Sequence, residues 1–272
     1  MSRILSMAYL TACHATPPEA VRIAARLGYA QVGLRLLPNS PGAPQQHLIG
    51  RPEVLRETQA ALRDTGVAVF DLEIIRINDG FDPLDYRPLL DAGAALGARA
   101  VLVAGDDPDT TRLADNFARL CETMKPYGMT ADLEFMPWTA VPHARAALGI
   151  VEAAGMPSNA GILVDALHFD RSATTLEDIR ALPRHLLHYA QVCDAPGRRR
   201  LGRDFTVEEM IHTARCERLQ PGEGDIDLAG LFAALPTELP MSVEVVHLER
   251  MKTMDPAEWA RQCLDASRPF AA

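Results

Sequence analysis

The strongest constraint on this chain is a regular alternation of short β-type runs with helical patterns from one end to the other. The β-type runs stand at 4–10 (ILSMAYL), 31–36 (QVGLRL), 67–75 (VAVFDLEII), 99–105 (RAVLVAG), 130–135 (TADLEF), 161–167 (GILVDAL), 188–193 (HYAQVC) and 241–246 (MSVEVV). In PPEAVRIAARLG, Val21, Ala24, Ala25 and Leu27 recur at helical spacing, and Gly28 ends the pattern. PEVLRETQAALRDTG repeats the design, with Pro52 near its start and Gly66 past its end. DYRPLLDAGAALG, TTRLADNFARLCETM, VPHARAALGIVEAAG and DPAEWARQCLDA follow suit, and Pro88 sets the start of the first of these. The stretch before the eighth run is broken: TVEEMIHTAR stops and PGEGDIDLAGLFAAL begins anew.

Eight strands alternating with helices at intervals of about 30 residues predict an α/β protein, a (β/α)8 TIM barrel forming a single domain over residues 1–272. The competing architecture is an open doubly wound sheet, but the chain has no GxGxxG or P-loop sequence to support a nucleotide-binding version. The dense Pro, Gly, Asn and Ser cluster from Pro38 to Pro52 reads as an ordered loop over a site.

Several functions are disfavoured at once. A net charge of −9 argues against general binding to nucleic-acid phosphates or anionic membranes. No run of 18 apolar residues is present to span a bilayer, and the N-terminal MSRILSMAYLTACHA reads as a first strand. Five cysteines (13, 121, 193, 216 and 263), scattered and without a CxxC pair, predict reduced thiols in a cytoplasmic protein.

In such a barrel, catalytic side chains lie at the C-terminal ends of the strands. Strand two ends near Arg35, and strand three carries Glu73 and then Arg76. Glu134, Asp165, Gln191 and Glu244 each interrupt an otherwise apolar strand. A lone buried carboxylate costs several kcal/mol unless it is paired or bound to metal. Three of them converging on one mouth repel each other, and a divalent cation resolves this while leaving about one net negative charge. Carboxylates with an amide oxygen are hard donors that favour Mg²⁺ or Mn²⁺, with Co²⁺ or Zn²⁺ also admissible.

At these residues the sequence resembles the xylose-isomerase-like barrels, the sugar phosphate isomerase/epimerase superfamily. The resemblance is carried by LVDALHFD (163–170), YAQVCDAP (189–196), RLQPGEGDIDLAGL (218–231) and SVEV (242–245). It implies one divalent metal ion (Mn, Mg, Co or Zn) held by Glu134, Asp165, Gln191 and Glu244. It also implies a substrate-binding histidine at His168, and an arginine at Arg218 that holds a substrate oxygen or carboxylate near the metal. Gln191 stands where many epimerases of the group have His. That choice is closer to the inosose isomerase, inosose dehydratase and 3-dehydroshikimate dehydratase branches, and QVCDAP with R-x-x-PGEG is closest to the last.

The chemistry this implies is an isomerase or epimerase of a small polyhydroxy ketone or sugar-like substrate acting through a metal-stabilised enediolate. Dehydration of 3-dehydroshikimate or an inosose shares that intermediate and is the alternative. Glu134 and Glu244 are the candidate base and acid, with His168 donating to a substrate hydroxyl. Glu73 either reaches the site or pairs with Arg35 or Arg76. Cys13, His14, Cys193 and Trp138 are lesser candidates for the pocket wall, and Arg198–Arg203 reads as a solvated loop or a closure over an anion. His185 and His188 have HxxH spacing but fall at the opposite end of the barrel. The expected partner is a small molecule, with no nucleic acid and no membrane; homo-oligomerisation is left open.

Overall fold

In the computed structural model, which describes residues 2–40, 42–197 and 203–272, eight strands close into a barrel in chain order. They are β1 (Leu5–Met7), β2 (Gln31–Arg35), β3 (Ala68–Ile77), β4 (Ala100–Gly105), β5 (Thr130–Glu134), β6 (Ala160–Asp165), β7 (Ala190–Val192) and β8 (Met241–Val243). Each neighbouring pair is parallel, and β1 closes on β8 through Leu5↔Met241 and Met7↔Val243. This is the single-domain TIM barrel that the alternation predicts.

Helix ends follow local chemistry. The helix Pro17–Leu27 opens with a Thr16/Glu19 capping box and stops at Gly28, whose φ of 88° suits a residue without Cβ. Arg87–Leu96 follows a 3₁₀ turn at Pro83–Tyr86, which places Pro88 at its second position, where the missing N–H costs nothing. Some boundaries differ from the sequence reading. The run at 4–10 is strand only to Met7 and then turns into a 3₁₀ helix at Tyr9–Ala12. The run at 161–167 ends as strand at Asp165, because that residue caps a helix beginning at Ala166. Periodicity also passed over two helices of six residues, Ala166–Arg171 and Leu176–Ala181, each too short to show a repeat.

The strands divide their side chains between two layers. Ala131, Leu133, Ile162, Val164, Ala190, Val192, Met241 and Val243 join the large core against the surrounding helices. Residues of opposite parity face the barrel axis. There Phe70, Ile74, Leu102, Leu163 and Tyr189 form a separate apolar plug, with Phe70 and Tyr189 in edge contact at 5.0 Å. The buried acids Glu134, Asp165 and Glu244 lie at the C-terminal ends of β5, β6 and β8.

Asp132 marks the other end of the barrel, where its Oδ1 lies 2.7 Å from Nδ1 of His188. Gly161 makes room for the pair, since a Cβ there would sit 2.1 Å from Asp132 Oδ1 and 2.5 Å from His188 Nδ1. Gly161→Ala is therefore expected to destabilise the protein by about 1–3 kcal/mol, read as a lowered urea midpoint at unchanged slope.

Burial disfavours the His188 imidazolium, but the hydrogen bond and charge of Asp132 outweigh it and raise the ring pKa above its ordinary value of about 6.5. A base with a raised pKa stabilises the fold fully below its unfolded value and loses that contribution as pH rises through the folded value. His188→Gln should thus cost more stability near pH 6 than near pH 9. Urea unfolding at both pH values checks this, and an equal cost at both would contradict the pairing.

Candidate active site

Each site residue is held by a local device. Asp165 is the last residue of β6 and the N-cap of the next helix, and its Oδ1 accepts the backbone N–H of His168 at 3.0 Å. The Asp-x-x-His spacing is therefore a capping geometry, which turns His168 back over the barrel mouth. There His168 Nε2 lies 3.6 Å from Glu134 Oε1. Trp138 meets the His168 ring edge-on at 5.0 Å. Glu244 follows β8, with its N–H bonded to the Val192 carbonyl at 3.0 Å. Gln191 of β7 lies opposite Asp165 in register and donates from Nε2 to Glu244 Oε1 at 3.0 Å.

Arg218 arrives by a longer route. Residues 217–219 run between the ends of β7 and β8, bridged antiparallel through Asp194↔Leu219 and Glu217↔His247. Asp194 organises the following Pro-Gly-Glu-Gly turn by accepting from the N–H groups of Gly222 and Ile226. A Cβ at Gly224 would lie 2.3 Å from Asp194 Oδ1, so the turn requires glycine there. The outcome is a guanidinium, 2% exposed, that donates to Asp165 Oδ2 at 2.7 Å and to Glu244 Oε2 at 2.8 Å.

The electrostatics follow from this crowding. Burial, with Asp165 and Glu244 nearby, raises the Glu134 carboxyl well above the ordinary range. Burial likewise raises Glu244 despite Arg218. Asp165 is also buried, but Arg218, His168 and its hydrogen bonds outweigh desolvation and lower it. Burial brings His168 down to about 4, so its ring is neutral near pH 7. Three ionised carboxylates against the one Arg218 guanidinium would leave two negative charges, which one divalent cation balances.

The donor set fits such an ion. Glu134, Asp165 and His168 each present a ligand atom, all within 4.8 Å of one another. Gln191 Oε1 is buried and has no hydrogen-bond partner, while the amide nitrogen of the same side chain is satisfied. Such an orphaned acceptor beside carboxylates is a hard donor left free. His168 enters this set as a possible ligand, a role the sequence did not suggest.

Other predicted residues separate. Glu73 lines the cavity at the strand ends and pairs with Arg35 at 2.7 Å rather than with Arg76. Arg76 pairs with Asp106 at 2.6 Å. Trp138 lines the same cavity, and Cys13 and His14 line an adjoining one. Cys193 lies under Arg218, which donates to its sulfur at 3.1 Å, and burial raises the thiol far from the thiolate range. Asn39, Ser40, Ala43 and Pro44 of the Pro38–Pro52 loop line the adjoining cavity, while Pro41 lies outside the described residues. Arg198 to Gly202 also lie outside them, and Arg203 is exposed and paired with Glu209 at 2.5 Å. Asn39, in the loop expected to lie over a site, lines the cavity, and so does Arg215, which nothing in its neighbourhood distinguishes from ordinary helix polar groups. No helix is long and apolar enough to cross a membrane among the described residues.

Fold and site together define a barrel with an acid-lined, cation-ready mouth. Residues 21–269 match the family model of the xylose isomerase-like TIM barrel, and the chain belongs to that family. No curated protein matches it. Among solved structures, the IolI protein with a bound zinc atom is similar at 17% identity and TM-score 0.79, with 100% of this chain and 98% of that one covered. D-allulose 3-epimerase from Methylomonas sp. is similar at 16% identity and TM-score 0.69, covering 99% and 98%. The probable 3-DHS dehydratase AsbF from Bacillus anthracis is similar at 13% identity and TM-score 0.72, covering 97% and 98%. Likeness at these identities establishes the shared barrel.

Proposed function

We propose that this protein is a divalent-metal-dependent isomerase or epimerase of a small polyhydroxy ketone or sugar-like substrate. One observation carries the reading: Asp165 and Glu244 are buried on a single guanidinium, Glu134 is buried beside Asp165 and His168, and the Oε1 of neighbouring Gln191 has no partner. Glu134, Asp165, Gln191 and Glu244 would hold the ion, with His168 within reach of it. When bound, the ion supplies Lewis acidity that makes a C–H beside a ligated carbonyl more acidic. The name of the zinc-bearing relative supports a metal in such a barrel.

The chain's own residues do the rest. Glu134 and Glu244, whose carboxyl groups burial has made more basic, remove and return the substrate proton. His168 is neutral, and its unpartnered Nδ1 supports a role in hydrogen bonding to a substrate hydroxyl. Glu73 Oε1 is buried and unpartnered and accepts from another hydroxyl. Trp138 walls the cavity and keeps water from the reacting carbon.

A second reading, dehydration of 3-dehydroshikimate or an inosose, is favoured by Gln191 at the seventh strand and by the Arg218-to-Gly224 turn, and the likeness to AsbF agrees with it. Both readings begin with the same proton abstraction, so one experiment tests them together. Metal-loaded protein is incubated in D₂O with keto sugars, inososes or 3-dehydroshikimate, and deuterium is followed by NMR. The expected result is exchange at the carbon beside the carbonyl, accompanied by an isomer or by a dehydrated product. No exchange with any of these classes would sink both readings.

A further inference from the structure

Two cavities adjoin at the barrel mouth. The inner one, about 50 Å³, is lined by Glu73, Glu134, His168, Arg218 and Glu244 among others. The outer one, about 330 Å³, is lined by Tyr9, Cys13, Pro44, Cys216 and Val246 among others. Leu10, Arg35, Asn39 and Arg215 belong to both.

Most arginines around the inner cavity pair with acids. Arg218 takes Asp165 and Glu244, Arg35 takes Glu73, and Arg76 takes Asp106. Arg215, near the end of the helix Val207–Cys216, is left over, with no side-chain hydrogen bond or ion pair among the described residues. Partial burial disfavours its charged form, and the charges of Arg76 and Arg35 add to that. Arg35 supplies an independent signal. It is 8% exposed and is held by Glu73 through one terminal nitrogen, yet its Nε is buried without a partner. Two guanidiniums thus border one shared space, Arg215 without an acidic partner and Arg35 with an unused N–H beside its bond to Glu73, and an anion lying between them would engage both. Guanidinium N–H groups match carboxylate and phosphate oxygens in geometry and charge.

We propose that Arg215 and Arg35 form an anion subsite where the two cavities adjoin. The substrate is then a polyhydroxy keto compound bearing one carboxylate or phosphate group, and Arg215 sets that preference. The inference rests on reading the inner cavity as the carbonyl-binding metal centre. With a divalent ion held there, the three carboxylates are balanced by the ion and Arg218, and among the described residues lining the inner cavity Arg215 keeps its positive charge without an acidic partner.

The test is calorimetric titration of Mn²⁺-loaded protein with three six-carbon keto compounds: neutral D-fructose, the carboxylate 5-keto-D-gluconate and the phosphate ester D-fructose 6-phosphate. One of the two anions should bind about tenfold tighter than D-fructose or better, as a charge-assisted pair allows. The anion preferred distinguishes carboxylate from phosphate. Arg215→Gln should bring that anion to within a few-fold of D-fructose, while Mn²⁺ uptake stays as in the wild type. Equal binding of all three, no binding of either anion, or a preference that survives Arg215→Gln would overturn the proposal. Failure of the metal-centre reading leaves a different mark: Mn²⁺ is not taken up. The same titrations on metal-free protein then still report whether anion binding follows Arg215.

Discussion

Glu134→Gln is expected to lower substrate proton exchange by about 10²–10⁴-fold without harming the fold. The substitution keeps the shape of the side chain and removes its basicity. Glu134 makes no ion pair with Arg218; His168 lies 3.6 Å away, and burial keeps that ring neutral near pH 7. Desolvation and the charges of Asp165 and Glu244 already disfavour its ionised form. Metal-free Glu134→Gln should therefore unfold at the same urea concentration as the wild type or a higher one. Deuterium exchange and urea unfolding on the same preparation check both halves. Full exchange activity would remove Glu134 from the chemistry, and a large loss of stability would make its role structural.

Arg218→Met should have the opposite signature, a large loss of stability. The guanidinium is the shared counter-ion of Asp165 and Glu244 at 2.7 and 2.8 Å. Removing one partner of a buried ion pair leaves uncompensated charge and costs about 3–5 kcal/mol. The loss should shrink when Mn²⁺ is present, because a cation that binds only the folded state stabilises it by mass action. Denaturation with and without Mn²⁺ measures both effects. A variant as stable as the wild type without metal would show that Arg218 is not the counter-charge.

The carboxylate set was legible because strands have a two-residue side-chain period. Glu134, Asp165, Gln191 and Glu244 stand out as polar breaks in apolar strands, and all four are buried at the barrel mouth. Three carboxylates and one divalent ion leave one negative charge unmatched. Arg218 supplies the missing positive charge, but its position depends on the crossing of 217–219 between β7 and β8, a long-range arrangement with no local signal. Arg35 and Arg215 are likewise brought to one cavity only by closure of the barrel. A signal for the lower axis was present and passed over. Asp-Leu-Glu recurs at 71–73 and 132–134, and the same alternation that turns the glutamates inward buries Asp71 and Asp132 below them. The short helices between β6 and β7 escaped for a different reason, since six residues are under two turns and carry no period.

The central claim is that the converging acids hold one divalent ion. The most direct measurement is metal content by elemental analysis of protein equilibrated with Mn²⁺, Mg²⁺, Co²⁺ or Zn²⁺, beside the Glu134→Gln/Glu244→Gln double variant. About one ion per chain is expected in the wild type, as the charge left by three carboxylates and Arg218 requires, and none in the double variant. A wild-type protein that stays empty with all four metals, or a double variant that binds as well as the wild type, would contradict it.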